Sequence, residues 1–178
     1  MAFRVIYVHT KRAHSKQRKK MLNKTNAHFE ELTRIGRDYE EKKRALEDRK
    51  KAIIDTYGWD SEELKAWYEE KGKMTYPVDS GSCKAYRAWS HTIEKEGEEL
   101  ELDDFLWDRE VADFVDCLKK AEITTFIYTN QSTAVMENLH AFAKEGCRMD
   151  GLCTIKRMER RFGENREEEI LGIHFTVC

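Results

Sequence analysis

A change of period in the middle of the chain most constrains its fold. Trp107, Val111, Phe114, Leu118 and Ala121 recur at spacings of four, three, four and three, so one stripe of a helix is apolar while Asp108, Asp113, Asp116, Lys119 and Lys120 face water. From Thr124 to Thr129 the residues become β-branched and aromatic, which predicts a strand. An amphipathic helix feeding a short apolar strand is half of an α/β layer. It dictates an architecture and leaves the chemistry open.

The flanking segments extend this unit in both directions. Asn26 to about Ile54 has no proline and one glycine, and Phe29, Leu32, Gly36, Tyr39, Lys43, Leu46, Lys50 and Ile53 alternate at three and four residues. Gly36, Lys43 and Lys50 make that stripe too polar for a self-contained coiled coil, so it reads as a long helix packed along a thin seam. Asp60 with Glu63 suggests a capping box, with Trp59 and Leu64 as its hydrophobic staple and Gly72 as the helix end. The single proline, Pro77, marks a boundary in KMTYPVDSGS. A helix after Ser82 carries Tyr86, Trp89 and Ile93 and stops at Gly97, and Glu98 to Asp104 is an acidic loop or short edge strand. Past the central strand, Ser132 or Thr133 is placed to cap a helix bearing Val135, Met136, Leu139, Phe142 and Ala143. Leu152 to Arg160 and Glu169 to Val177 form an antiparallel hairpin, with Leu171, Ile173, Phe175 and Val177 on the core face.

The expected fold is α+β: a small, mainly antiparallel sheet of about three or four strands with helices on one side, plus a long N-terminal helical extension. Residues 1–75 form the basic arm and extension, and residues 76–178 the α/β domain. Phe3 to Val8 has the propensity of a further short strand, an edge strand or a frayed tail.

Several function classes are disfavoured by composition. No apolar run reaches the roughly 18 residues of a membrane span, and the N-terminus has no signal-peptide pattern, so a cytoplasmic protein without membrane contact is expected. The five cysteines, Cys83, Cys117, Cys147, Cys153 and Cys178, have no C-x-x-C pair and suit buried thiols. H-E-x-x-H, G-x-S-x-G and Walker patterns are absent. His140, Cys147 and Cys153 lie at spacings of seven and six, unlike a zinc finger or ribbon, and His174 with Cys178 supplies two ligands where a closed site needs four. A small hydrolase or transferase would have to use Cys147 or His140. No enzyme, cofactor or metal is expected.

Charge is the remaining signal. Residues 1–24 hold eight bases and no acid, so with a net charge of −2 the remaining residues carry −10. Glu94 to Glu122 holds twelve acids against four bases. The basic end, through Lys11, Arg12, Lys16, Arg18, Lys19, Lys20 and Lys24, is either a solvated arm or a DNA or RNA contact with a steep salt dependence. The acidic end offers Asp103, Asp104, Asp108, Asp113 and Asp116 to a basic partner.

The words SCKAYRAWSHTIEKEGEELELDDFLWDREVADFV and ITTFIYTNQSTAVMENLHAFAKEGCRMDGL, within Gly81 to Cys153, resemble an uncharacterised small α/β domain family of bacterial plasmids and mobile elements. With its basic N-terminus, the chain resembles members reported as anti-CRISPR inhibitors of type II RNA-guided effector nucleases. The resemblance implies a non-catalytic inhibitor that binds the nuclease–guide RNA complex and blocks DNA targeting or cleavage. It brings no site residues of its own. The alternative is a nucleic-acid-binding accessory protein of a mobile element, acting through the arm alone.

Overall fold

The computed structural model describes residues 25–95, 97–161 and 164–178. The basic candidates Lys11 to Lys24 and the strand expected at Phe3 to Val8 lie outside these residues. Among the described residues the chain forms five α-helices and four strands, an α+β fold. They are α1 (Ala27–Tyr57), α2 (Glu62–Lys73), α3 (Ser80–Glu94), β1 (Leu100–Leu102), α4 (Val111–Lys120), β2 (Thr125–Tyr128), α5 (Val135–Lys144), β3 (Cys147–Arg161) and β4 (Glu164–Val177).

The sheet is mixed, in the order β1-β2-β4-β3. β1 runs parallel to β2, with Leu100 opposite Phe126 and Leu102 opposite Tyr128, because a helix, α4, carries the chain back between them. The other pairings are antiparallel. The face that carries Leu100, Leu102, Phe126, Tyr128 and Phe175 is buried beneath α3, α4 and α5. Phe126 stacks on Phe175 with ring centroids 5.1 Å apart, and Phe142 of α5 lies 5.2 Å from Phe126. One aromatic cluster thus joins helices to sheet.

The long helix α1 enters this core at its root only. Asn26 caps it by accepting from the His28 and Phe29 amides and donates from Nδ2 to Ala121 O, tying the helix start to the end of α4. Phe29 is fully buried against Trp89 and Tyr86 of α3, at 4.8 and 5.9 Å. The body's core therefore includes a residue from the segment assigned to the extension. Further along, α2 folds back on α1 around a second, small core of Leu46, Leu64 and Trp67. Trp67 Nε1 donates to Leu46 O at 2.7 Å, and Lys71 pairs with Glu47 at 2.5 Å. Gly36 interrupts the apolar stripe because Tyr76 crosses there; a Cβ would lie 2.9 Å from its hydroxyl.

Several sequence expectations change in three dimensions. Ser61, not Asp60, caps α2, accepting from the Leu64 amide, and Trp59 is 69% exposed instead of stapled to Leu64. Helix α2 runs one residue past Gly72. Asp79 caps α3 through the Ser82 amide, so that helix begins before Ser82. Neither Ser132 nor Thr133 caps α5, which follows a tight turn at Ala134. Glu98 to Asp104 contains the edge strand β1. The hairpin strands are longer than expected, and Leu171 is exposed although Phe175 and Val177 are buried. The reason is register: β2 pairs with β4 only from Ile173 to Thr176, so β4 outruns its neighbour at Leu171.

Candidate partner-binding surface

A glycine creates the acidic surface. At the crossing of α3 and α4, a Cβ on Gly81 would lie 2.4 Å from Glu110 O and 2.6 Å from Phe114 N. Only glycine permits that approach. It sets Asp79, at the start of α3, beside Asp113 and Asp116 on the outer face of α4, all three exposed. The Asp113 carboxyl titrates above its ordinary range, first because it loses water where the helices press together, then through the charges of Asp79, Asp116 and Glu110. Lys120 pairs with Asp116 at 2.6 Å and offsets part of this charge.

The five acidic candidates differ in their surroundings. Asp113 and Asp116 are outward on α4 while Val111, Phe114 and Leu118 are buried, as the stripe requires. Asp103 is engaged by Arg157 at 3.1 Å and Lys95 at 3.7 Å, and Asp104 by Arg87 at 2.6 Å. Asp108 is exposed and lines a cleft of about 260 Å³ with Arg109, Glu137, His140 and Lys144. Asp79, which joins Asp113, lies outside the acidic run; its signal was the D-x-x-S spacing of a helix cap.

Trp107 also departs from its expected core position. Residues Asp108–Glu110 form a 3₁₀ turn before α4, and Trp107 ahead of it is 52% exposed, edge-on to Phe105 at 4.6 Å with the Arg109 guanidinium 5.8 Å from its ring. Glu110 is buried in its place. It accepts from Lys84 Nζ at 2.6 Å and from the Trp107 amide at 2.9 Å.

The other face of the sheet holds a second polar group. His174 Nε2 lies 2.7 Å from Glu99 and Nδ1 lies 2.9 Å from Asp150, whose other contacts are Thr176 Oγ1 at 2.6 Å and Arg148 Nε at 2.9 Å. Burial alone would raise Asp150, but these hydrogen bonds outweigh it and hold the carboxyl below its ordinary range. Arg157 binds Glu101 and Asp103 across the same face. Gly172 leaves room for Ile127, whose Cγ2 would lie 2.5 Å from an added Cβ.

The candidate nucleophile is poorly suited to its task. Burial pushes the Cys147 thiol up to about 11, leaving little thiolate at neutral pH. His140 is exposed beside the cleft. Among the described residues, no group of three or more His, Cys, Asp or Glu is placed to hold a metal ion. No helix among them is long and apolar enough to cross a membrane.

A family model described as a domain of unknown function, DUF7698, matches residues 84–177. The match runs from α3 to β4 and leaves α1 and α2 outside it. No curated protein and no solved structure matches the chain.

Proposed function

The chain belongs to the DUF7698 domain family, whose model spans just over half of it, and from that premise we propose that it is a non-catalytic protein that docks a basic partner surface. The observation that carries this reading is the Asp79, Asp113 and Asp116 grouping. Folding raises the Asp113 carboxyl, first by taking water from it and then by setting the charges of Asp79, Asp116 and Glu110 near it, and a cationic partner would offset the second of these. The partner in this reading is a type II RNA-guided effector nuclease with its guide RNA, as the resemblance of the Gly81 to Cys153 words implies. Such an effector exposes a basic channel and PAM-reading arginines, and occupying them would block DNA targeting or cleavage.

The test is plasmid protection combined with direct binding. Co-expression should protect a targeted plasmid, and the purified chain should bind the nuclease–guide complex stoichiometrically. The variant Asp79→Asn/Asp113→Lys/Asp116→Lys keeps a competent helix cap and should lose both. Full interference in cells that contain the protein would overturn the reading for that nuclease. DNA binding without a nuclease, steeply salt-dependent and abolished by deleting residues 1–24, would favour the nucleic-acid accessory reading instead.

A further inference from the structure

The turn between α1 and α2 carries two exposed aromatic rings. α1 is 31 residues long, about 45 Å at the helical rise, and only its root is held in the body's core. Its far half is braced by α2 through Leu46, Trp67, Arg49 with Glu70, and Glu47 with Lys71. The result is a stiff two-helix arm. At its tip, Tyr57 is 60% and Trp59 69% exposed.

Among the described residues, nothing explains these two rings. Ser61 caps α2 and Gly58, at φ +83°, turns the chain, so Trp59 performs neither task. Leu64 faces Trp67, leaving Trp59 without the apolar partner that a staple would provide. Exposed tryptophan and tyrosine on a protrusion are what binding hot spots are made of.

Charge identifies the partner's chemistry. Asp55 to Glu63 contains four acids and no base. Glu62 and Glu63 suit the start of α2, where the helix dipole favours a negative charge. Asp55 is different: it sits in the last turn of α1, which carries no basic residue, where the dipole disfavours an anion. Asp55, Asp60 and Glu63 make no ion pair among the described residues, whereas Glu62 is paired with Lys65 at 2.6 Å. Of this rim, Asp55 alone stands against the preference of its helix.

We propose that Tyr57 and Trp59 insert into an apolar, basic-rimmed pocket of a protein partner, with Asp55, Asp60 and Glu63 meeting its cations. An acidic tip repels nucleic acid and anionic membranes, which leaves a protein surface. The choice of the nuclease–guide complex as that protein rests on the function proposed above.

The experiment places the photoreactive amino acid p-benzoylphenylalanine at position 59 of the full chain and mixes it with the type II nuclease–guide complex. Crosslinks to the nuclease polypeptide are expected, together with about 30-fold weaker binding by Tyr57→Ala/Trp59→Ala, a hot-spot loss. Asp55→Lys/Asp60→Lys/Glu63→Lys should weaken binding likewise and make the remainder less salt-dependent, a readout that a folding defect would not give. If the chain binds the complex, crosslinks nothing and is indifferent to both variants, the tip inference is overturned while the proposed function stands. If the wild-type chain does not bind, both fall. Crosslinking only to a second copy of the chain, or to the guide RNA, overturns the tip inference.

Discussion

Lys84 Nζ lies 2.6 Å from Glu110 Oε2, with the two side chains only 15% and 11% exposed. The pair ties α3 to the turn that begins α4, and Lys84 also donates to Phe105 O. Two chain segments 26 residues apart are held by one largely desolvated contact.

Breaking that contact from one side should be costly. Lys84→Met leaves Glu110 buried without its cation, for which about 3–5 kcal/mol is the usual loss. Lys84→Met/Glu110→Leu removes both charges and should recover much of the stability. Urea unfolding of the two variants measures the difference.

Acid should weaken the fold through identifiable groups. Burial alone would raise Glu110, but Lys84, Ser80 and the Trp107 amide outweigh it, so its folded carboxyl titrates below the ordinary 4.5; Asp150 likewise lies below 3.8. A depressed carboxylate contributes stability that is present above its unfolded value and lost as pH falls through its folded value. Unfolding free energy should therefore fall with acidification below about pH 4.5. In Asp150→Asn that fall should be shallower below about pH 4, as urea titrations at successive pH values would show.

Gly81→Ala tests the helix crossing on which the acidic surface depends. Its new methyl group meets the backbone atoms Glu110 O and Phe114 N at 2.4 and 2.6 Å, so α3 and α4 must separate. We expect a loss of about 1–3 kcal/mol and a Cys117 thiol that becomes reactive toward a maleimide, since burial between these helices is what protects it. Unchanged stability would show that the crossing tolerates separation.

Phe29 and Leu46 lie on one helix but belong to different cores. Phe29→Ala should cost about 3–5 kcal/mol and lower the main melting transition. Leu46→Ala should leave that transition nearly in place and strip amide-exchange protection from the arm, around residues 44–73. Equal loss of protection throughout in both variants would mean that arm and body unfold as one.

The sequence by itself determined the elements whose cause is local. The period of Val111, Phe114 and Leu118 and the β-rich run to Thr129 placed α4 and β2, and the proline-free stretch from Asn26 placed α1, because periodicity and propensity act within a few residues. Outward placement of Asp113 and Asp116 followed from the same stripe. Tertiary structure decided what distance in sequence conceals. Asp103 and Asp104 look as free as Asp113 until Arg157, 54 residues on, and Arg87, 17 residues back, arrive to neutralise them. Trp59 sits at a staple position and Trp107 and Leu171 on apolar stripes, yet each is exposed because no neighbouring element among the described residues covers it. An apolar pattern states which side of an element seeks burial; only packing and strand register state whether a partner is there.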